Sequence, residues 1–224
     1  MLRESHALRM LQGSTSKNAF AFHERSAVIS VFDYGAGNLR SVENTLGAIG
    51  AEYTLVRDAE SLRAAQKIIL PGVGHFGQLT RALDAMGVRN TLLERLRAGV
   101  PFLGICLGLQ ALFTSSEEAP EERGLGVFPG EVRRFQGEQR IPHMGWNQIE
   151  RVKETPLLCE TGGKPYLYFA HSYYCPVVSE TVAVCNYIVP YTAVLQSGNI
   201  SGVQFHPEKS SDLGQTILEN FIQL

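Results

Sequence analysis

Beyond position 26, apolar residues recur with two periods, and the period changes along the chain. "AVISVF" (27–32), "AEYTLV" (51–56), "KIIL" (67–70) and "PFLGI" (101–105) are short apolar runs bounded by turn residues, as buried strands are. Between them the spacing is helical. Leu39, Val42, Leu46 and Ile49 share one helix face that closes at Gly50, and residues 77–98 carry the same period. Residues 107–114 also read as a helix. Strands alternating with helices predict an α/β fold of three layers, αβα, with a mostly parallel central sheet covered on both faces. From about 125 to 206 the pieces turn short and strand-like: "GEVRRF", "YLYFAHSYYC", "VAVCNY", "TAVLQ", "ISGVQFH". They predict an antiparallel section at the edge of that sheet. "SSDLGQTILENFIQL" closes the chain as an amphipathic helix, with Leu213, Ile217, Leu218 and Phe221 on one side.

Residues 1–26 have neither period. They carry four basic and two acidic residues and no apolar core of the kind a secretory signal needs. An N-terminal extension, disordered or non-native, is expected there, with an organelle-targeting reading left open; one domain is expected over 27–224. Composition acts mainly by exclusion. The chain has 224 residues, 44% hydrophobic and 19% charged, with a net charge of −2. No charge block marks nucleic acid or a membrane surface as a partner. The apolar run from Val100 to Leu109 is about half of a bilayer span. Cys106, Cys159, Cys175 and Cys185 form no C-x-x-C pair and lack zinc-finger spacing, so reduced thiols, a cytoplasmic protein, no metal and no cofactor are expected.

Chemistry concentrates in "PFLGICLGLQALF" (101–113). Gly104-Ile105-Cys106-Leu107-Gly108 is G-x-C-x-G at a strand-to-helix junction, the thiol counterpart of the nucleophile elbow. The bend is tight enough that residues two before and two after the nucleophile crowd each other, which glycine relieves. A cysteine at a helix N-terminus is favoured as thiolate, and the free N–H of Leu107 points at any oxyanion formed beside it. A thiolate also needs a base and an orienting group. "VQFHPEKSS" (203–211) supplies His206 and Glu208, which share one side of the chain if 203–208 is extended. Read alone, each motif has a plainer form, a core cysteine or a surface turn; together they point to a nucleophile and its base. Gly72-x-Gly74-x-x-Gly77 fits a dinucleotide loop, but it follows the third strand, and no acidic residue clearly ends the next one.

"DYGAGNLRSVENTL" (33–46), "ILPGVGHFG" (69–77), "GICLGLQALF" (104–113), "SEEAP" (116–120), "GLGVFPGEV" (124–132), "PHMGWNQI" (142–149), "YFAHSYY" (168–174) and "GVQFHPEKSS" (202–211) span nearly everything after residue 26. In these segments the chain resembles the class I, triad-type glutamine amidotransferases, whose fold is flavodoxin-like. Within that class it is similar to the glutaminase-subunit family of imidazole glycerol phosphate synthase, from histidine biosynthesis. The resemblance implies Cys106 as nucleophile, His206 as base and then acid, and Glu208 as orienting carboxylate. It implies Val73 and Leu107 as oxyanion donors, and Gly72, Gln110, Glu118, Ser172 and Tyr173 around the substrate glutamine. It implies a heterodimer with a cyclase subunit built as a (β/α)₈ barrel, docked on Asn38, His143, Met144, Trp146 and Lys209. His171 is expected to be structural or interface-related. A glutaminase of another synthase such as pyridoxal phosphate synthase, a γ-glutamyl hydrolase, or a non-catalytic regulatory module on the same fold are the alternatives.

Overall fold

The computed structural model describes residues 27–36 and 39–224, so residues 1–26 and Asn38 lie outside the described residues. The first half alternates as β1 (Ile29–Phe32), α1 (Leu39–Ala48), β2 (Tyr53–Val56), α2 (Ala59–Ala64), β3 (Lys67–Gly72), α3 (Phe76–Ala85), α4 (Arg89–Arg97), β4 (Phe102–Cys106) and α5 (Leu107–Gln110). β5 (Phe113–Ser116), β6 (Phe128–Arg134), β7 (His143–Arg151), β8 (Tyr166–His171), β9 (Tyr173–Tyr174), β10 (Thr181–Asn186), β11 (Pro190–Ser197) and β12 (Ile200–Val203) follow, before α6 (Ser211–Gln223). Nine strands form one sheet in the order β2-β1-β3-β4-β12-β11-β10-β7-β8, and β5-β6-β9 form a small second one.

The strands from β2 to β12 in that order run parallel, and those from β12 to β8 pair antiparallel. Alternation along the parallel strands builds two cores. Ile68, Leu70 and Phe102 pack with Leu62, Leu79 and Leu92 of α2, α3 and α4. Ile69 and Leu103 pack on the other face with Val42 and Leu46 of α1 and Ile217 and Phe221 of α6. β1, β3 and β4 are buried along their whole length, as strands covered on both faces must be. Lys67, buried at the start of β3, donates its Nζ hydrogens to the carbonyls of Phe221 and Ile222 and ties the end of α6 to the sheet. Register then places the chemistry: Gly72 lies beside Cys106, and Val203 beside Ile105. The carboxyl ends of β3, β4 and β12 therefore meet, where open α/β sheets bind their ligands.

Four departures from the sequence pattern have physical causes. The helix read over 107–114 stops at Gln110, because Phe113–Ser116 instead pairs with β6 and Phe113 packs on Phe128. The helical stretch 77–98 divides at Gly87, whose φ of +65° ends α3. α2, which the pattern does not announce, is started by Asp58, whose side chain accepts the Ser61 N–H at 2.8 Å. The antiparallel section at the sheet's edge includes the nine-residue β7, which the pattern does not announce. That strand is inverted, with His143 buried inside while Met144 and Trp146 are 59% and 51% exposed. An apolar face turned to solvent does not read as a half-buried strand. Among the described residues, no helix is long and apolar enough to cross a membrane.

Candidate active site

Cys106 ends β4 and opens α5 with φ 52° and ψ −103°, a left-handed backbone in a residue other than glycine. Such a conformation costs about 1–3 kcal/mol and persists only where its surroundings impose it. The surroundings are the two flanking glycines. A Cβ on Gly104 would sit 2.6 Å from the carbonyl carbon and oxygen of Gly108, and one on Gly108 would sit 2.0 Å from the Leu70 carbonyl oxygen. The sulfur is thereby held at the sheet's carboxyl edge, 6% exposed. Gly104→Ala is expected to destabilise the protein by about 1–3 kcal/mol, as overpacking against rigid backbone does, with a lower chemical-denaturation midpoint as the readout. An unchanged midpoint would show that the bend has slack.

His206 reaches the same spot from the loop that follows β12. Its Nδ1 is 2.8 Å from Oε1 of Glu208. Residues 207–209 form a 3₁₀ turn opened by Pro207, so imidazole and carboxylate meet through that turn and not along an extended strand. The loop is pinned to β8: His206 N–H donates to the Tyr168 carbonyl, Ser210 Oγ donates to the His206 carbonyl, and Tyr168 N–H donates to Ser210 Oγ. Both side chains of the pair are 2% exposed, and Oε2 of Glu208 is buried with no protein partner. Burial by itself would lower the His206 pKa. The charge and hydrogen bonding of Cys106, and then of Glu208, outweigh it and raise the pKa to about 10. Imidazolium is thus the favoured form beside the sulfur.

A cavity of about 260 Å³ opens over Cys106, with Val73, Leu107, Gln110, Glu118, Ser172 and Tyr173 in its wall. Gly72 is absent from that wall; it closes β3 against α5, where a Cβ would come within 2.6 Å of Leu107 Cβ. Gln110 Nε2 donates to the Tyr173 carbonyl at 2.9 Å and to Oε1 of Gln204 at 3.2 Å. Glu118 Oε2 accepts the Phe76 N–H at 2.7 Å, which anchors the start of α3 and the loop after Val73. Of the residues expected at a partner surface, Lys209 is exposed, with its Nζ 5.9 Å from the Tyr168 ring centre. Trp146 meets Tyr168 edge-on at 6.1 Å. His143 is 3% exposed and lies beneath these side chains.

Two residues that motif reading passes over also touch the site. Gln204 is fully buried and donates Nε2–H to Cys106 Sγ at 3.5 Å. Its position two residues before His206, on the same side of an extended run, was the available signal. Tyr34 is carried by the turn after β1, where Asp33 accepts the Gly35 N–H at 2.9 Å. Its hydroxyl donates to the Val73 carbonyl at 3.3 Å, and burial pushes its pKa up to about 12, so it stays a donor.

A bent cysteine, an imidazole paired with a carboxylate and a cavity above the sulfur meet at the carboxyl ends of parallel strands, the arrangement that a thiol nucleophile and its base require in an α/β fold. The family model described as "Glutamine amidotransferase class-I" matches residues 30–224. The imidazole glycerol phosphate synthase subunit HisH of Methanothermobacter thermautotrophicus is 46% identical over 198 residues, 88% of this chain and 98% of that protein. The HisH subunit of Deinococcus radiodurans is 43% identical over 197 residues, 86% of this chain and 92% of its own. Among solved structures, PurLQS from Thermotoga maritima shares the fold at a TM-score of 0.70 and 21% identity, covering 88% of this chain and 98% of that one. The chain belongs to the class-I glutamine amidotransferase family and, within it, to the HisH subunits of imidazole glycerol phosphate synthase.

Proposed function

We propose that this chain is the glutaminase subunit of an imidazole glycerol phosphate synthase, hydrolysing glutamine to glutamate and ammonia. The observation that carries the reading is the convergence of Cys106, His206 and Glu208 under one cavity in a chain so similar to HisH subunits. Cys106 attacks the side-chain amide carbon. The N–H groups of Leu107 and Val73 receive the oxyanion, each donor contributing roughly 3 kcal/mol. Imidazolium His206 protonates the departing nitrogen, and ammonia leaves a glutamyl thioester on Cys106. His206, now neutral, takes a proton from water as it attacks the thioester; glutamate leaves and the thiolate–imidazolium pair returns. At the other end of the substrate, Glu118 faces the α-ammonium, while Gln110 and the main chain of Ser172 and Tyr173 hold the α-carboxylate.

Free ammonia would be lost to bulk water, so a partner must collect it. The partner is a cyclase subunit with a (β/α)₈ barrel, in the cytoplasm. It docks on the apolar patch of Met144 and Trp146 on β7, with Lys209 beside it and Tyr168 of β8, the strand that pins the His206 loop. The test is glutamine-dependent ammonia release by the chain alone and with a cognate cyclase and its ribotide ligand. A low basal rate is expected, raised about 5–150-fold by the liganded partner, the usual range of coupling between sites. Trp146→Ala is expected to weaken partner binding by about 2 kcal/mol, as loss of an aromatic anchor does, without lowering the unfolding midpoint. Strong partner-free hydrolysis of γ-glutamyl peptides would favour the hydrolase alternative instead.

A further inference from the structure

Behind the cavity, Tyr191 of β11 is fully buried, and its hydroxyl lies between two histidines. The oxygen is 3.1 Å from Nδ1 of His143 and 3.3 Å from Nε2 of His171. His171 ends β8 and lines the cavity. His143 starts β7, directly before the exposed Met144. The chain continues at both ends: His171 Nδ1 is 2.7 Å from the Tyr173 carbonyl oxygen, and Asn147 Nδ2 is 3.4 Å from His143 Nε2.

Counting donors places every proton. A carbonyl only accepts, so His171 Nδ1 carries a hydrogen. Burial depresses His171 to about 3 and His143 to about 4, so near pH 7 each ring is neutral and has a single N–H. His171 Nε2 must then accept, and the one Tyr191 hydroxyl hydrogen goes to it. The Tyr191 oxygen in turn accepts from His143 Nδ1–H, which leaves His143 Nε2 to accept from the Asn147 amide. The result is a chain with one direction, Asn147 to His143 to Tyr191 to His171 to the Tyr173 carbonyl. That carbonyl is also the acceptor for Gln110. The His143 ring has little freedom to reorient, because it is stacked on Tyr187 at 3.9 Å and on Phe169 at 4.9 Å. Cys185 also lies beside the Tyr191 hydroxyl; burial pushes its thiol up to about 11, and a neutral thiol sulfur is a weaker acceptor than the His171 ring nitrogen for the hydroxyl hydrogen.

We propose that Tyr191 is a positioning residue of the substrate cavity: through His171 it fixes the Tyr173 main chain, and through His143 it links that main chain to the strand bearing Met144 and Trp146. The proposal rests on the glutamine reading of the cavity. It makes the two ends interdependent, since a shift of His143 on partner docking cannot preserve the chain unless His171 follows.

Two measurements test it. In the full chain, imidazole ¹⁵N shifts should show both His143 and His171 as neutral Nδ1–H tautomers between pH 5.5 and 8. An Nε2–H tautomer on either ring overturns the chain. Tyr191→Phe removes one hydroxyl and keeps the ring. It should unsettle the His143 tautomer and, in the assembled synthase, raise the glutamine KM about three- to tenfold, the worth of one neutral hydrogen bond, while kcat stays within about twofold. It should also reduce the stimulation by partner. A folded Tyr191→Phe protein with wild-type KM and wild-type stimulation overturns the positioning role. Should that variant fail to fold, the wild-type tautomers still decide. A wild-type protein that turns over no glutamine would instead sink the substrate reading, and the ¹⁵N shifts would judge the hydrogen-bond chain separately.

Discussion

Cys106→Ala is expected to abolish glutamine hydrolysis while the protein stays folded. Cys106 forms the only covalent bond between protein and substrate in the proposed reaction. Variants lacking the nucleophile of a triad typically lose about 10⁴–10⁶ in kcat, the remainder coming from the oxyanion donors and binding alone. Packing should change little. Alanine retains the Cβ that strains the bend at φ 52°, and the deleted atom faces the cavity. A second signature follows from electrostatics. Among the groups that raise His206, Cys106 contributes most, so without the sulfur burial regains ground and the imidazole pKa must fall well below 10. Ammonia release and an imidazole titration on the same sample check both outcomes. Residual hydrolysis within about a hundredfold of wild type would remove Cys106 from the mechanism, and an unmoved His206 would mean that sulfur and ring do not communicate.

The parts of this site legible in sequence are those enforced by local sterics. Gly104 announces the bend because the clash it avoids, with the Gly108 carbonyl, lies within five residues and is present in the structure as an approach of 2.6 Å; Gly108 instead makes room for the Leu70 carbonyl of β3, which no local pattern shows. The pairing of His206 with Glu208 was legible as proximity, but its geometry was not: a 3₁₀ turn brings the groups together where an extended run was expected. β7 was hidden because two of its apolar side chains, Met144 and Trp146, face solvent while His143 faces inward, which breaks the usual alternation. Gln204, Tyr34 and Tyr191 carry no motif of their own. Gln204 meets Cys106 across 98 residues of sequence, Tyr34 meets Val73 across 39, and Tyr191 meets His143 across 48. Such contacts exist only after the sheet order is set, and no local pattern encodes them.

Glu208→Gln should produce the second large loss, and its cause is charge more than shape. The Gln side chain fits the same space with two choices, both poor. With its oxygen toward His206 Nδ1, its amide hydrogens occupy the place of Oε2, which is buried without a protein partner, and so become unsatisfied donors. With the amide reversed, its N–H₂ faces Nδ1 and forces the Nε2–H tautomer, which cannot accept the thiol proton. Either way the imidazolium loses its counter-charge, and the His206 pKa drops from about 10 because two of the groups that raise it act through Glu208. At pH 7, kcat should fall about 10²–10⁴, the usual worth of general acid–base catalysis, with KM changed less than about threefold. Stability follows with a definite sign. A histidine whose pKa is raised on folding contributes stability that is complete below its unfolded value of about 6.5 and disappears as pH rises toward 10. The variant should therefore be less stable than wild type at pH 6, and the gap should narrow on titration to pH 10 in denaturant unfolding. A gap that is constant across that range, or a kcat within tenfold of wild type, would mean that the Glu208 charge does not hold the imidazolium.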